Sequence, residues 1–337
     1  MTALDLSSRH MAALASLLAC PADGGGLDFG AGGARCRRCD ACYPVRDGVL
    51  RMLSEAQLND DDAREIAGRD DQAAWYDEVH GTYTDRAEIP PVLAAVGAAA
   101  GPVLEVGAGT GRFTAAVARA TGQPVLAIDY SHGSLARLVK RCEGLPVLAV
   151  QADARQLPVR TASIRSALAA ELYPMIRPVG RQRFLIELAR VLTSQGRAVL
   201  STLNYGLTFR AWHLLGNGAA REGENLLGGD GYYVRLSPRE FQRELEDQFD
   251  VVRIDGLRTL PGRTLAAAGQ RVIGVGRGRP DLDRWMCERG VRVDHALAQR
   301  RVGRHLGLFL LATLERPGTT PTLPAAPSPG AEPIATR

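Results

Sequence analysis

The sequence has no apolar run approaching the roughly 18 residues that a membrane-spanning helix requires, so an integral-membrane function is not expected. It has no blocks of one charge sign. The 41 Lys and Arg residues stand against 37 Asp and Glu, a formal charge of +4 scattered along the chain, which excludes a basic tail built to bind nucleic acid. It also lacks a disulfide framework: of six cysteines, four crowd into residues 20 to 42, a pattern that suits a reduced metal site better than the bridges of a small secreted domain. At 337 residues the chain has room for about two domains and a substantial core. No metal staple is needed for the chain as a whole.

Arg9, the stretch "MAALASLLA" and Cys20 together imitate a short secretory leader ending at a lipoprotein cleavage site. Asp5 within that leader and Pro21 behind the cysteine oppose the imitation. The expected location is the cytoplasm.

Residues 1 to 18 read as a short helix, and 19 to 54 as a Gly- and Cys-rich unit without helical periodicity. The polar stretch "SEAQLNDDDAREIAGRDD" then leads through "AAWYDEVHGTY" to Pro90, where the pattern changes. Beyond it, "PVLEVGAG", "PVLAIDY", "PVLAVQAD", "SALAAEL" and "RAVLSTLN" are Val- and Leu-rich runs too short for free-standing helices. The helical stretches "TGRFTAAVARATG", "SHGSLARLVKRCEG" and "GRQRFLIELARVLTSQG" alternate with these runs. Such alternation predicts an α/β fold with a parallel sheet and crossover helices. Farther on, "SPREFQRELEDQF" opens with Ser237 as N-cap, Pro238 in the first turn and Glu240 three residues after the cap, which predicts a helix. "DVVRIDGL" and "HLGLFLLATLE" are the last strand-like runs.

"EVGAGTG" follows the first strand and opens a helix, a place where glycines let the backbone approach a ligand and helix N–H groups point at it. Asp129 lies twenty residues past Gly109 at the end of the second strand, where a carboxylate can accept hydrogen bonds from the two hydroxyls of a ribose. The dinucleotide fingerprint G-x-G-x-x-G is not met, since position 112 is Arg112 and the third glycine is Gly111.

With these residues in order, "LEVGAGTGRF", "LAIDYS", "VQADARQLPV" and "LARVLTSQGRAVLST" resemble the successive motifs of class I S-adenosylmethionine-dependent methyltransferases. The resemblance is close over about residues 90 to 204 and looser beyond. It implies a Rossmann-like, mostly parallel seven-stranded sheet and S-adenosylmethionine as cofactor. It places Glu105, Gly107, Gly109 and Gly111 along the methionine half, Asp129 on the ribose, Tyr130 near adenine, and Asp153 and Ala154 at the adenine amino edge. Two departures matter. The Glu-x-x-Glu-His run that many relatives carry after the fourth strand is replaced by Glu171, Leu172, Tyr173, Pro174 and Met175. The Asn/Asp-Pro-Pro-aromatic sequence of amino-directed members is also missing, which lowers the case for a nitrogen acceptor.

The cysteine cluster has its own resemblance. Cys20-Pro21-Ala22-Asp23, then Cys36 and Cys39, then "YPVRDGVLRML" are similar to the short zinc-ribbon family related to methyltransferase activators. Asp23 stands where a second cysteine is usual. The resemblance implies zinc held by Cys20, Cys36 and Cys39, with Asp23 or Cys42 as fourth ligand. A degenerate, metal-free ribbon is the alternative. An iron–sulfur site is weighed because three cysteines recur at C-x2-C spacing, and the ribbon's Tyr43-Pro44-Val45-x-Asp47-Gly48 opposes it. Cys142 and Cys287 read as small apolar residues.

The expected organisation is an N-terminal helix and zinc-ribbon-like β domain (1–54), a linker and lid helix (55–89), a methyltransferase domain (90–316) with an insertion at about 205–235, and a disordered Pro-rich tail (317–337). For an oxygen acceptor a general base is useful, and Glu171, Tyr173, His132 and His213 are the candidates. His132 equally suits a surface position at a helix start. Trp75, Tyr76 and Tyr83 suit either a lid over the cofactor or plain packing, and so do Tyr232 and Tyr233 of the insertion. The expected function is methyl transfer to a small or medium organic acceptor, such as a secondary metabolite or sugar hydroxyl. The alternatives are an rRNA or tRNA base methyltransferase, whose basic face Arg35, Arg37, Arg38, Arg46 and Arg51 would supply, and a non-catalytic scaffold or activator.

Overall fold

The computed structural model describes residues 6–30, 32–53, 58–74, 82–97, 101–214, 220–224, 231–259, 261–262 and 280–318. Helix α1 (Arg9–Ser16) starts at Ser8, whose hydroxyl accepts the Met11 N–H at 3.2 Å. A meander of antiparallel strands follows: β1 (Leu27–Gly30), β2 (Gly33–Cys36), β3 (Cys42–Arg46) and β4 (Val49–Arg51). Helix α2 (Asp60–Gln72) is fixed at its start by a reciprocal cap in which Asn59 and Asp62 each accept the other's backbone N–H. Helix α3 (Thr82–Val96) runs straight through position 90 and carries Pro90 and Pro91. Its inward face is Thr84, Ala87, Glu88, Val92, Ala95 and Val96, an apolar stripe at helical spacing interrupted by one acid.

The alternating segment then gives β5 (Val103–Val106), α4 (Arg112–Thr121), β6 (Val125–Asp129), α5 (His132–Arg141), β7 (Val147–Gln151), β8 (Ile164–Ala169), α6 (Pro178–Val191) and β9 (Leu192–Leu203). Helix α6 stops at Val191, earlier than its amphipathic pattern suggests. Leu192 already takes an extended conformation and is fully buried, and Thr193 and Ser194 behind it are weak helix formers. The chain continues through α7 (Leu207–Leu214), β10 (Glu222–Glu224), β11 (Tyr232–Val234), α8 (Pro238–Glu246), β12 (Asp250–Thr259), α9 (Pro280–Ala298), α10 (Gly303–Leu306) and β13 (Gly307–Glu315). Ser237 and Glu240 form the reciprocal cap of α8 that the sequence predicts.

The strands assemble in the order β1-β2-β3-β4-β7-β6-β5-β8-β9-β13-β12. From β7 to β9 all neighbours are parallel, and β13 runs antiparallel between β9 and β12. The strand order reverses between β5 and β8, which opens the crevice where ligands of such sheets bind. One face of the sheet is covered by α1, α6 and α8, through residues such as Leu14, Phe184, Leu188 and Phe241. The other is covered by α3, α4 and α5, through Val92, Phe113 and Leu135. Because β5, β6 and β8 are sandwiched on both sides, they are mostly apolar, with Glu105 in β5 and Arg165 and Ser166 in β8 as the polar exceptions before the strand ends.

The cysteine-rich unit is continuous with this sheet. β4 pairs in parallel with β7, Val49 opposite Ala149 and Leu50 opposite Val150, so the ribbon covers an edge that would otherwise present unpaired backbone groups. The proposed 317–337 tail lies outside the described residues apart from positions 317 and 318. Among the described residues no helix is long and apolar enough to cross a membrane.

Candidate functional site

A cavity of about 500 Å³ opens at the C-terminal ends of β5, β6 and β8, a volume in the range of small-molecule sites. Gly107 turns the chain after β5 with φ +76°, and a Cβ there would lie 2.7 Å from the Leu172 side chain, so only glycine leaves this wall open. The carboxylate of Asp129 accepts the Gly109 N–H through Oδ2 and the Ser131 N–H through Oδ1, both at 2.8 Å. Each oxygen keeps a second lone pair for a ligand hydroxyl. Burial raises the Asp129 pKa, and the amides of Ser131 and Gly109 oppose that rise.

Tyr130, Asp153 and Ala154 line the same cavity with Gly107, Gly109 and Asp129. Asp153 is bound by Arg155 at 2.7 Å, and Arg155 reaches on to the Tyr130 hydroxyl at 3.1 Å and to Asp62 of α2 at 3.0 Å. Burial, with the charge of Asp153, pushes the Tyr130 phenol up. Gly111 and Glu105 do not line the cavity. Gly111 is the left-handed N-cap of α4 at φ +84°, and a Cβ there would sit 2.8 Å from Leu138 of α5, so its glycine is required by helix packing. Glu105 is buried with Oε2 unpartnered, and burial pushes its carboxyl up to about 8.

Helix α2 roofs the site. Asp70 accepts the Gly133 N–H at 2.8 Å and the Ser131 hydroxyl, which docks α2 on the N-terminus of α5. Glu65 accepts the Tyr232 N–H at 3.1 Å and ties the roof to β11. Trp75 and Tyr76 lie outside the described residues. Tyr83, in α3, and Tyr233, buried in β11, do not line the cavity, whereas Tyr232 does.

The four base candidates separate. Glu171 lines the cavity, follows β8 with φ +60°, and is bound by Arg112 at 2.9 Å. A left-handed glutamate at a ligand cavity is a backbone position that tertiary contacts must enforce. Tyr173 is fully buried away from the cavity, packed against Phe184 and Phe241, and its hydroxyl donates to Glu244 at 2.6 Å. His132 faces the ribbon, with Nε2 3.1 Å from Asp47. His213 is exposed on α7. Neither histidine touches the cavity wall.

Two groups of site residues lay beyond motif reasoning. Arg112, at the mismatched position of the glycine fingerprint, binds Asp85, Glu88 and Glu171. Asp62 and Asp70 of α2 hold the roof. A sequence signal existed for one of them, since Glu88 is an acid on the apolar face of α3.

In the ribbon, the ligand atoms of Cys20, Asp23, Cys36 and Cys39 all lie within 4.8 Å of one another. The sulfurs of Cys20 and Cys39 are 3.6 Å apart, close to the roughly 3.8 Å that two thiolates take around tetrahedral zinc. Asp23 Oδ2 is buried without a hydrogen-bond partner, with Arg38 at 4.0 Å. Cys42 is exposed, and its thiol turns to the Asp40 carbonyl at 3.5 Å. The donor set therefore fits a closed, structural zinc site with Asp23 as fourth ligand.

Residues 103–196 match the family described as "Methyltransferase domain". No curated protein matches the chain. Among solved structures, the complex of the Haloferax volcanii methyltransferase activator with a putative methyltransferase is similar at 16% identity and a TM-score of 0.50, over 75% of this chain and 96% of that one. A DhpI–SAH complex is similar at 16% identity and a TM-score of 0.50, over 77% and 98%. Phosphoethanolamine N-methyltransferase 2 of Haemonchus contortus aligns at 13% identity with a TM-score of 0.49 over 75% of this chain, which spans 60% of that protein. The family match identifies residues 103–196 as a methyltransferase domain, and the sheet order around them agrees with the fold of these structures.

Proposed function

We propose that this protein transfers the methyl group of S-adenosylmethionine to a small or medium-sized organic acceptor that enters beneath α2. The observation that carries the proposal is the Asp129 carboxylate, anchored by two backbone N–H groups on the wall of the cavity. In this reading Gly107 and Gly109 give the cofactor close access to the backbone, while Tyr130, Asp153 and Ala154 border the adenine. When bound, the cofactor supplies an electrophilic methyl on a sulfonium whose charge disappears on transfer. The chain's own contribution is to position the partners and exclude water, which α2 does through Asp62, Glu65 and Asp70. Of the four base candidates Glu171 is the one on the cavity wall, and it is assigned here to accept an acceptor's proton.

An RNA substrate is disfavoured by the ribbon's own pairing. Arg35, Arg37, Arg38 and Arg46 lie beside Asp40, Asp28, Asp23 and Asp47 respectively, which leaves little of the basic face that RNA binding needs. The ribbon is read as a zinc-closed support for the sheet edge and the substrate surface.

Calorimetric titration with S-adenosylmethionine and S-adenosylhomocysteine at two salt concentrations, with and without bulk RNA, tests the reading. Binding of both ligands and none of RNA is expected, followed by turnover in a small-molecule acceptor screen. No binding of either ligand at millimolar concentration sinks the proposal, and RNA affinity that collapses with salt transfers it to a nucleic-acid substrate.

A further inference from the structure

Beneath the cavity lies a cluster of five charged side chains drawn from four parts of the fold. The Arg112 guanidinium, at the start of α4, reaches Glu88 of α3 at 2.7 Å, Glu171 at the end of β8 at 2.9 Å and Asp85 of α3 at 3.2 Å. Arg258 of β12 binds the other oxygen of Glu88 at 3.2 Å. Glu88 is 1% exposed, whereas Asp85 stands half in solvent. Glu171 and Arg258 both hold left-handed backbone, at φ +60° and +51°, so the fold sustains strain at two members of one cluster. Of these groups Glu171 lines the cavity.

Arg112 is thus shared by two inner carboxylates, one buried and one on the cavity wall. With Glu88 ionised, the guanidinium divides its pairing and more of the Glu171 charge is felt in the cavity. With Glu88 neutral, Arg112 serves Glu171 and cancels that charge. We propose that Glu88 is a positioning residue that, through the shared Arg112, sets how strongly the Glu171 wall prefers the cationic sulfonium cofactor over its demethylated, uncharged product. The proposal rests on the methyltransferase reading and adds to it a device that favours exchange of product for fresh cofactor.

Burial, reinforced by the negative charge of Glu171, raises the Glu88 carboxyl to about 7 against the pull of Arg112 and Arg258, so the preference is expected to change across neutral pH. Other charged groups border the cluster. Asp85 shares Arg112, Glu105 of β5 feels Arg112 and Asp129, and Asp294 of α9 accepts from the adjoining backbone at Thr259.

The test measures dissociation constants of S-adenosylmethionine and S-adenosylhomocysteine for the intact protein from pH 6 to 8.5. The sulfonium lowers the ammonium pKa of S-adenosylmethionine relative to that of S-adenosylhomocysteine, so each ligand's own titration is measured free in solution and removed from the ratio. The ratio favouring S-adenosylmethionine is expected to rise roughly three- to tenfold as pH increases through 7. Glu88→Gln should flatten the profile while both ligands still bind. Arg258→Met, which removes one of the two cations from Glu88, should move the rise to higher pH, a shift that loss of packing alone would not produce. A flat ratio in the wild type with both ligands bound overturns the proposal and leaves the methyltransferase reading intact. A profile flattened by Glu105→Gln and unchanged by Glu88→Gln overturns it too. Absence of binding by either ligand removes this proposal together with the reading on which it rests.

Discussion

Asp129→Asn isolates the proposed cofactor contact while changing few atoms. In the wild type each carboxylate oxygen takes one backbone N–H at 2.8 Å, from Gly109 and from Ser131. An amide has one oxygen and one NH2 group, so it can satisfy one of those donors and must point its own donors at the other. Two losses follow. An unpaired backbone N–H costs about 1 to 3 kcal/mol of stability. Removing the charged acceptor from a ligand hydroxyl costs about 1.5 to 3 kcal/mol of binding, or about 10- to 150-fold in the dissociation constant. Calorimetric titration at low temperature, where the variant remains folded by circular dichroism, reads the second loss separately from the first. Gly111→Ala serves as the control for stability alone. Its Cβ meets Leu138 at 2.8 Å in a left-handed backbone outside the cavity wall, for a cost of roughly 2 to 4 kcal/mol with cofactor affinity held within about twofold. If folded Asp129→Asn binds both cofactor forms within twofold of the wild type, Asp129 does not hold the ribose and the reasoning fails.

Tyr173→Phe removes the hydrogen bond to Glu244 and should lower stability by roughly 1 kcal/mol while the pH dependence of turnover stays put; a lost alkaline or acid limb would show that Tyr173 carries the reaction's proton after all. Elemental analysis of the purified protein should find about one zinc per chain, retained in Cys42→Ser and lost in Asp23→Ala, since the Cys42 thiol turns away from the cluster; the opposite pattern would make Cys42 the fourth ligand. Burial opposes it, yet the hydroxyl and backbone N–H of Ser237 together with Arg221 draw the Glu240 carboxyl down to about 2. Its folded pKa lies below its unfolded one, so its contribution is present above about pH 4.3 and fades as pH falls toward 2. Thermal unfolding of wild type and Glu240→Gln should therefore differ by on the order of 1 kcal/mol at pH 6, allowing for part exposure, and converge near pH 2; a constant gap would refute the assignment.

The Val- and Leu-rich runs, the glycine turn and Asp129 were legible because their chemistry is local. A strand buried on both faces must be largely apolar, a left-handed turn against Leu172 must be glycine, and a carboxylate at a strand end is placed by the strand itself. The cap of α8 was legible for the same reason, since Ser237 and Glu240 are three residues apart and need nothing from elsewhere.

Direction and partnership across the sheet were decided by tertiary structure alone. Tyr173 and Glu171 are two residues apart, yet the turn after β8 sends one into a core of Phe184 and Phe241 and the other to the cavity wall, an outcome set by packing from α6 and α8. Arg112 looked like a missing glycine until folding brought Glu88 from α3 and Arg258 from β12 beside it, 24 and 146 residues away in sequence. The gathering of Asp23 with Cys20, Cys36 and Cys39 and the joining of the ribbon to β7 are likewise long-range. Sequence by itself determines the periodicities and turns that pattern short segments. Which charged groups end up sharing one low-dielectric space depends on crossovers that no single segment encodes.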